Sequence, residues 1–128
     1  MAVMPASRKR PRPSPDAILT KATLRAADRL DLSAKSLASI IGVSEATVSR
    51  MKKGEFVLER GSKPFELALL FVRLFRSLDA IVGGDEEVAR AWLENPNGPL
   101  DGRPIEKIRS ISGLVDALAY LDARRALV

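Results

Sequence analysis

A chain of 128 residues with 46% hydrophobic side chains suffices for one compact domain or two very small ones, and its few aromatics leave the core to aliphatic packing. It contains no cysteine and no histidine, which excludes disulfides, thiolate chemistry, a histidine base, a Ser-His-Asp triad and histidine metal sites. The absence of cysteine fits a reducing, cytoplasmic setting. The net charge of +5 is unevenly spread: residues 1–63 carry 13 Lys/Arg against 6 Asp/Glu, net +7, and residues 64–128 carry 8 against 10, net −2. Phosphate is therefore attracted to the first half.

Residues 1–15 hold Pro5, Pro11, Pro13 and Pro15 beside the basic run Arg8, Lys9, Arg10 and Arg12. Prolines deny this segment a helix and it has too little apolar surface to fold alone, so it reads as a disordered basic arm. It is either a solvated tail or an arm that follows DNA phosphates or enters a minor groove. It has no apolar h-region, so no secretion signal is expected. The longest apolar run, residues 67–72, is too short to cross a bilayer, and no membrane partner is expected.

A first helix is expected from a cap at Asp16 to about Leu30, with Ile18, Leu19, Ala22, Ala26 and Leu30 on its apolar face. Residues 33–53, SAKSLASIIGVSEATVSRMKK, then read as two short helices across a tight turn. Leu37, Ala38 and Ile41 form the inner stripe of the first, Gly42 supplies the turn, and Ser44 caps the second. Val48 and Met51 face inward. Glu45, Thr47, Ser49, Arg50, Lys52 and Lys53 are assigned to the outer face. The pattern is a helix-turn-helix whose second helix, residues 44–53, enters the major groove. With Ser33, Lys35, Ser44 and the basic arm (Arg8, Lys9, Arg10), these residues are the candidate DNA contacts.

Residues 54–63 form a polar link in which Phe56, Val57 and Leu58 are expected to fold back on the core. Pro64 opens a helix to about Val82 that is apolar on more than one face. Two readings compete for it: a dimer interface through Phe71, Leu74, Phe75 and Leu78, or central burial in one subunit. The two-fold symmetry of most operator readers favours the homodimer. Gly83 and Gly84 end the helix, and Asp85, Glu86 and Glu87 start another with acids at its positive end. Val88, Ala91, Trp92 and Leu93 are expected inside. Residues 95–104, NPNGPLDGRP, must be a loop of tight turns, with no ligand set for a metal or cofactor. Ile105, Ile108 and Ile111 are placed on a short helix, and a final helix of residues 112–126 turns Leu114, Val115, Leu118, Ala119 and Leu121 inward. No strand signal emerges. The expected fold is all-α, with an arm (1–15), a helix-turn-helix domain (16–63) and a dimerisation and partner-binding domain (64–128).

The second half also carries a resemblance. Trp92-Leu93, Pro96-Asn97, Leu100-x-Gly102-x-Pro104 and the helix with Gly113 and Val115 follow one another as in the C-terminal domain of Xre/MbcA/ParS-type antitoxins, with the Leu-Gly-Pro segment one residue tighter. Residues 64–84 resemble the linker helix of that family. The resemblance covers roughly residues 33–128. It implies an antitoxin that dimerises, binds the operator of its own operon and neutralises a RES-domain toxin that consumes NAD. Its tail, DARRALV, lacks the glycine found in many relatives.

Under that resemblance the toxin contact is assigned to the end opposite the DNA half. Tyr120, Asp122, Arg124, Arg125, Leu127 and Val128 make a mixed aromatic, basic and apolar patch of the kind enriched at interfaces. Asp122 or the terminal carboxylate would fill an anion site in the toxin, and the arginines would pair with acids at its rim. The rival readings are a stand-alone dimeric regulator with no toxin, and an enzyme. Catalysis without His or Cys would need paired carboxylates or an activated lysine; Asp85, Glu86 and Glu87 are explained by the helix dipole and Lys107 has no activating neighbour, so no enzyme is expected.

Overall fold

The computed structural model describes residues 14–127, so the basic arm with Arg8, Lys9 and Arg10, and Val128 at the other end, lie outside the described residues. Among the described residues seven helices follow one another: α1 (Pro15–Arg29), α2 (Ala34–Ile41), α3 (Glu45–Lys52), α4 (Lys63–Ile81), α5 (Glu86–Glu94), α6 (Pro104–Lys107) and α7 (Ile111–Ala126). The chain is all-α, as its pattern predicts. Among the described residues the sole β pairing is one antiparallel bridge, Asn97 to Gly102.

The helix starts are written locally. Ser14, Ser33, Ser44, Ser62, Asp85 and Ser110 each accept a hydrogen bond from the backbone N–H three residues on, opening every helix except α6. Such a cap contributes about 1 kcal/mol. Ser14 rather than Asp16 therefore starts α1, and Pro15 sits at its first turn, where a missing N–H costs nothing. Ser110 starts the last helix at Ile111, one residue before the expected point, and moves Ile111 out of the short helix.

α4 is the centre of the molecule. It packs on α1, α2, α5 and α7. This decides the question left open by its all-round apolar surface. Phe71, Leu74 and Leu78 are at most 1% exposed, so three of the four expected dimer contacts are core of a single protomer. Phe75 is half-buried, with the Arg29 guanidinium 5.1 Å above its ring. Phe71, Leu74 and Leu78 are therefore corrected from dimer contacts to protomer core, and Phe75 alone of the four keeps an accessible edge: in a helix with several packed neighbours, an excess of apolar residues is satisfied internally.

Arg29 holds the two halves together. It ends α1, bonds Glu86 of α5 at 2.9 Å through Nε and Asp79 of α4 at 3.2 Å through Nη2. Its carbonyl accepts from Arg90 Nε at 3.2 Å. On the other edge of α1, Thr20 secures the link after α3: its hydroxyl donates to the Asp16 carbonyl (2.7 Å) and accepts from Leu58 N (2.9 Å). Leu58 is thereby buried as expected and Phe56 half-buried, but Val57 turns to solvent.

Three helices bury part of their expected faces (Leu19 and Ala26 in α1 with Leu30 at its end, Leu93 in α5, Leu114, Leu118 and Leu121 in α7) but differ at individual positions. In α5 the buried residues are Ala89 and Leu93, while Val88 and Ala91 are exposed and Trp92 is half-buried. In α7 they are Gly113, Leu114, Ala117, Leu118 and Leu121, with Val115 and Ala119 outside. Ile18 of α1 is 56% exposed. In each case two adjacent apolar stripes compete, and the neighbouring helix selects one of them.

Candidate nucleic-acid and partner interfaces

The turn between α2 and α3 is built as its residues dictate. Gly42 ends α2 in the left-handed conformation, φ +73°, and the N–H groups of Gly42 and Val43 both reach the Ala38 carbonyl at 2.9 and 3.0 Å. A side chain here would be strained by that φ, and its Cβ would already touch Leu67 at 3.5 Å. Ser44 then accepts from Thr47 N at 3.0 Å and starts α3. Val48 and Met51 point into the core, leaving Glu45, Ala46, Ser49, Arg50, Lys52 and Lys53 exposed.

Thr47 is the exception on this helix. Assigned to the outer face, it is 9% exposed, and its hydroxyl pairs with Ser44 Oγ at 2.9 Å and accepts from Arg50 Nη2 at 3.1 Å. Its neighbours explain this: at one turn from Met51 and next to Val48, position 47 falls on the inner half of the helix. Arg50 sits in the last turn with its guanidinium 5.9 Å from the Phe56 ring, so its reach is guided from both sides. Ser33 and Ser44, taken as DNA contacts, are committed to capping. Ser33 also donates to Ser36 Oγ at 3.2 Å. Lys35 is exposed one turn away on α2.

At the other end, the loop after α5 closes through Asn97 N to Gly102 O at 2.9 Å and the return bond at 3.3 Å. The Asn97 side chain accepts from Leu100 N at 3.2 Å, which buries Leu100. Arg103 staples the loop to α5 through the Glu94 carbonyl, 2.8 Å, and bonds Glu106 at 3.1 Å. Trp92 and Tyr120 stack at 6.3 Å, joining α5 to α7, and Arg124 lies 5.8 Å from the Tyr120 ring. Beside them an apolar groove of about 340 Å³ runs past Ile81, Val82 and the exposed Val88.

Two family models match in succession: the antitoxin Xre-like helix-turn-helix domain over residues 9–73, and the antitoxin Xre/MbcA/ParS C-terminal toxin-binding domain over residues 77–126. The chain belongs to the Xre-type antitoxins. No curated protein matches the antitoxin. Its two domains are those of a toxin–antitoxin regulator: a DNA-binding helix-turn-helix and a domain that binds a toxin. None of the antitoxin's described helices is long and apolar enough to cross a membrane.

The toxin-binding domain departs from the expected patch at several residues. Asp122 is already engaged within the antitoxin, though its side chain stays partly exposed: its carboxylate accepts from Ser77 Oγ at 2.6 Å and lies 3.7 Å from Arg73. Tyr120 is half-buried against Trp92 rather than presented at the tip. Because Asp122 and Arg125 lie beside Arg73 and Arg76, the end of α7 runs alongside the middle of α4 and does not project from the end of the molecule. Arg124, Arg125 and Leu127 remain exposed, Leu127 at 86%. The sequence reading passed over Arg73 and Arg76. The available signal was two cations three residues apart on an otherwise apolar helix.

Proposed function

We propose that this antitoxin neutralises a RES-type, NAD-consuming toxin by direct binding and, as a cytoplasmic homodimer, represses its own operon through α3. The succession of a basic helix-turn-helix and a toxin-binding domain on one shared helix is the observation that carries this reading. The interface of the homodimer lies outside the buried Phe71–Leu78 stripe. In the toxin complex the exposed Arg124, Arg125 and Leu127 meet the toxin near its active site. Co-expression with the product of the adjoining open reading frame tests it. The full antitoxin should restore growth and the cellular NAD level, and a chain ending at Leu121 should do neither while still binding operator. Protection by the truncated chain, or a toxin that leaves NAD untouched, would refute the corresponding half of the proposal.

On the DNA side the antitoxin reads bases through Arg50 with Ser49 and Glu45, whereas Lys35, Lys52, Lys53 and the arm bind phosphate. Arg50→Ala is expected to lose about 1–3 kcal/mol of discrimination between operator and random duplex. Lys52→Ala and Lys53→Ala should weaken both duplexes alike and each lower the salt slope by about 1. Titrations of both duplexes across salt concentrations separate the two roles. An unchanged operator-to-random ratio for Arg50→Ala would remove Arg50 from base reading.

A further inference from the structure

We propose that the cleft between α4 and α7, walled by Arg73, Arg76 and Arg125, binds the carboxylates of an acidic segment of the toxin. The inference rests on the toxin-binding reading of this domain and extends its contact surface from Arg125 of α7 onto Arg73 and Arg76 of α4.

The cleft has a volume of about 590 Å³, and its charged lining is those three arginines with Asp79 and Asp122. Both acids are already engaged. Asp79 pairs with Arg29 at 3.2 Å, and Asp122 takes the Ser77 hydroxyl at 2.6 Å with Arg73 at 3.7 Å. Each stands three residues from an arginine on its own helix, Arg76 before Asp79 and Arg125 after Asp122, a spacing at which opposite charges ordinarily pair. Here neither pair forms. Ser77 is 2% exposed, so the hydroxyl that holds Asp122 away from Arg125 is fixed in the core. Arg29, itself anchored over Phe75, holds Asp79 away from Arg76. Among the described residues no carboxylate comes within ion-pair distance of Arg76 or Arg125.

The result is an uncompensated basic spot in the acidic half of the chain. Two guanidinium forks facing one cleft suit the bidentate geometry of carboxylates. Operator phosphate is the weaker fit. α3 packs on α1 and α2, whereas the cleft lies where α4 meets α7, beyond the helix-turn-helix. α7, which supplies Asp122 and Arg125, belongs to the toxin-binding domain. The occupant is thus an acidic loop or helix of the toxin.

The test uses the full chain with the purified product of the adjoining open reading frame as probe. Charge reversal in the double variant Arg76→Glu/Arg125→Glu should raise the dissociation constant about tenfold or more and flatten its dependence on salt. Arg76→Lys/Arg125→Lys should keep most of the salt dependence, and operator affinity should stay unchanged in both, which reports an intact fold. If the reversed variant binds this probe like wild type while removal of residues 122–128 abolishes binding, the acidic-segment proposal fails and the toxin-binding reading stands. If the wild-type chain forms no complex with it, that reading fails as well. Stabilisation by millimolar inorganic pyrophosphate that is lost in the reversed variant, with toxin affinity unaltered, would reassign the cleft to a small phosphate and overturn the proposal.

Discussion

Phe71→Ala is expected to remove about 3–5 kcal/mol of folding stability, the range for truncating a fully buried aromatic residue. Phe71 is 0% exposed at the middle of α4, the helix on which α1, α2 and α7 all rest, so no neighbour can move in without disturbing another contact. A domain of this size has about 5–15 kcal/mol in total, so the variant should sit near its unfolding threshold. Urea unfolding at two protein concentrations measures this. The midpoint should fall by the same amount at both, because the lost contacts lie within one protomer; a residue of a dimer interface would give a shift that grows on dilution. Phe75→Ala is the comparison. Half-covered by Arg29, it should cost clearly less, with part of the loss coming from the cation–π contact, about 1 kcal/mol. Wild-type stability in Phe71→Ala would contradict the packing described for α4.

Gly113→Ala is the second large effect, and here two physical arguments predict opposite signs. Gly113 lies in the first turn of α7, where alanine ordinarily favours a helix by up to about 1 kcal/mol. A Cβ at this position, however, would lie 1.8 Å from the Lys107 carbonyl oxygen and 2.7 Å from its carbon. Both are backbone atoms of α6, so no side chain can swing aside. The α6–α7 turn would have to open, which breaks the Ser110 cap on Gly113 N (3.0 Å) and the Ser110 N bond to the same Lys107 carbonyl (3.3 Å). The lost cap and the strain of overpacking together are expected to cost about 2–4 kcal/mol. Gly98→Ala, with nothing within 4 Å of its added carbon, should be close to neutral. Thermal unfolding of the two variants decides the matter. A neutral or stabilised Gly113→Ala would mean that helix propensity outweighs the close approach.

What the sequence could reveal follows from how far each signal reaches along the chain. The Ser44 cap, the Gly42 turn and the loop around Asn97 depend on neighbours within a few residues and stand where the sequence places them, whereas α1 and α7 are capped by Ser14 and Ser110, earlier than the expected starts at Asp16 and residue 112. The family resemblance in Trp92-Leu93 through Gly113 was legible for the same reason. Facing directions were less so. Phe71 and Phe75 look equivalent in sequence, and only the arrival of α7 on one side and Arg29 on the other separates them. Val88 and Ala89 in α5, and Val115 and Ala117 in α7, compete for one buried stripe that a distant helix chooses. Asp122 shows the limit most clearly: its partner Ser77 is 45 residues away, and nothing near either residue announces the bond. In the helix-turn-helix, Thr47 is the buried member of a polar set whose other two residues, Ser44 and Arg50, are exposed, so its hydroxyl looks like a DNA contact in sequence.

The match to the helix-turn-helix domain ends at residue 73 and that to the toxin-binding domain begins at residue 77, so the seam between them falls inside α4, about five turns of unbroken helix at the centre of one continuous core. There is no hinge at which evolution could cut and rejoin. A recombination event at that seam would graft half of a foreign α4 onto the native one, and the new helix would have to satisfy α1 and α2 with one sequence and α7 with another. Gene exchange that transfers a new toxin specificity must therefore carry α4 whole, together with the Ser77 and Arg29 contacts that orient it.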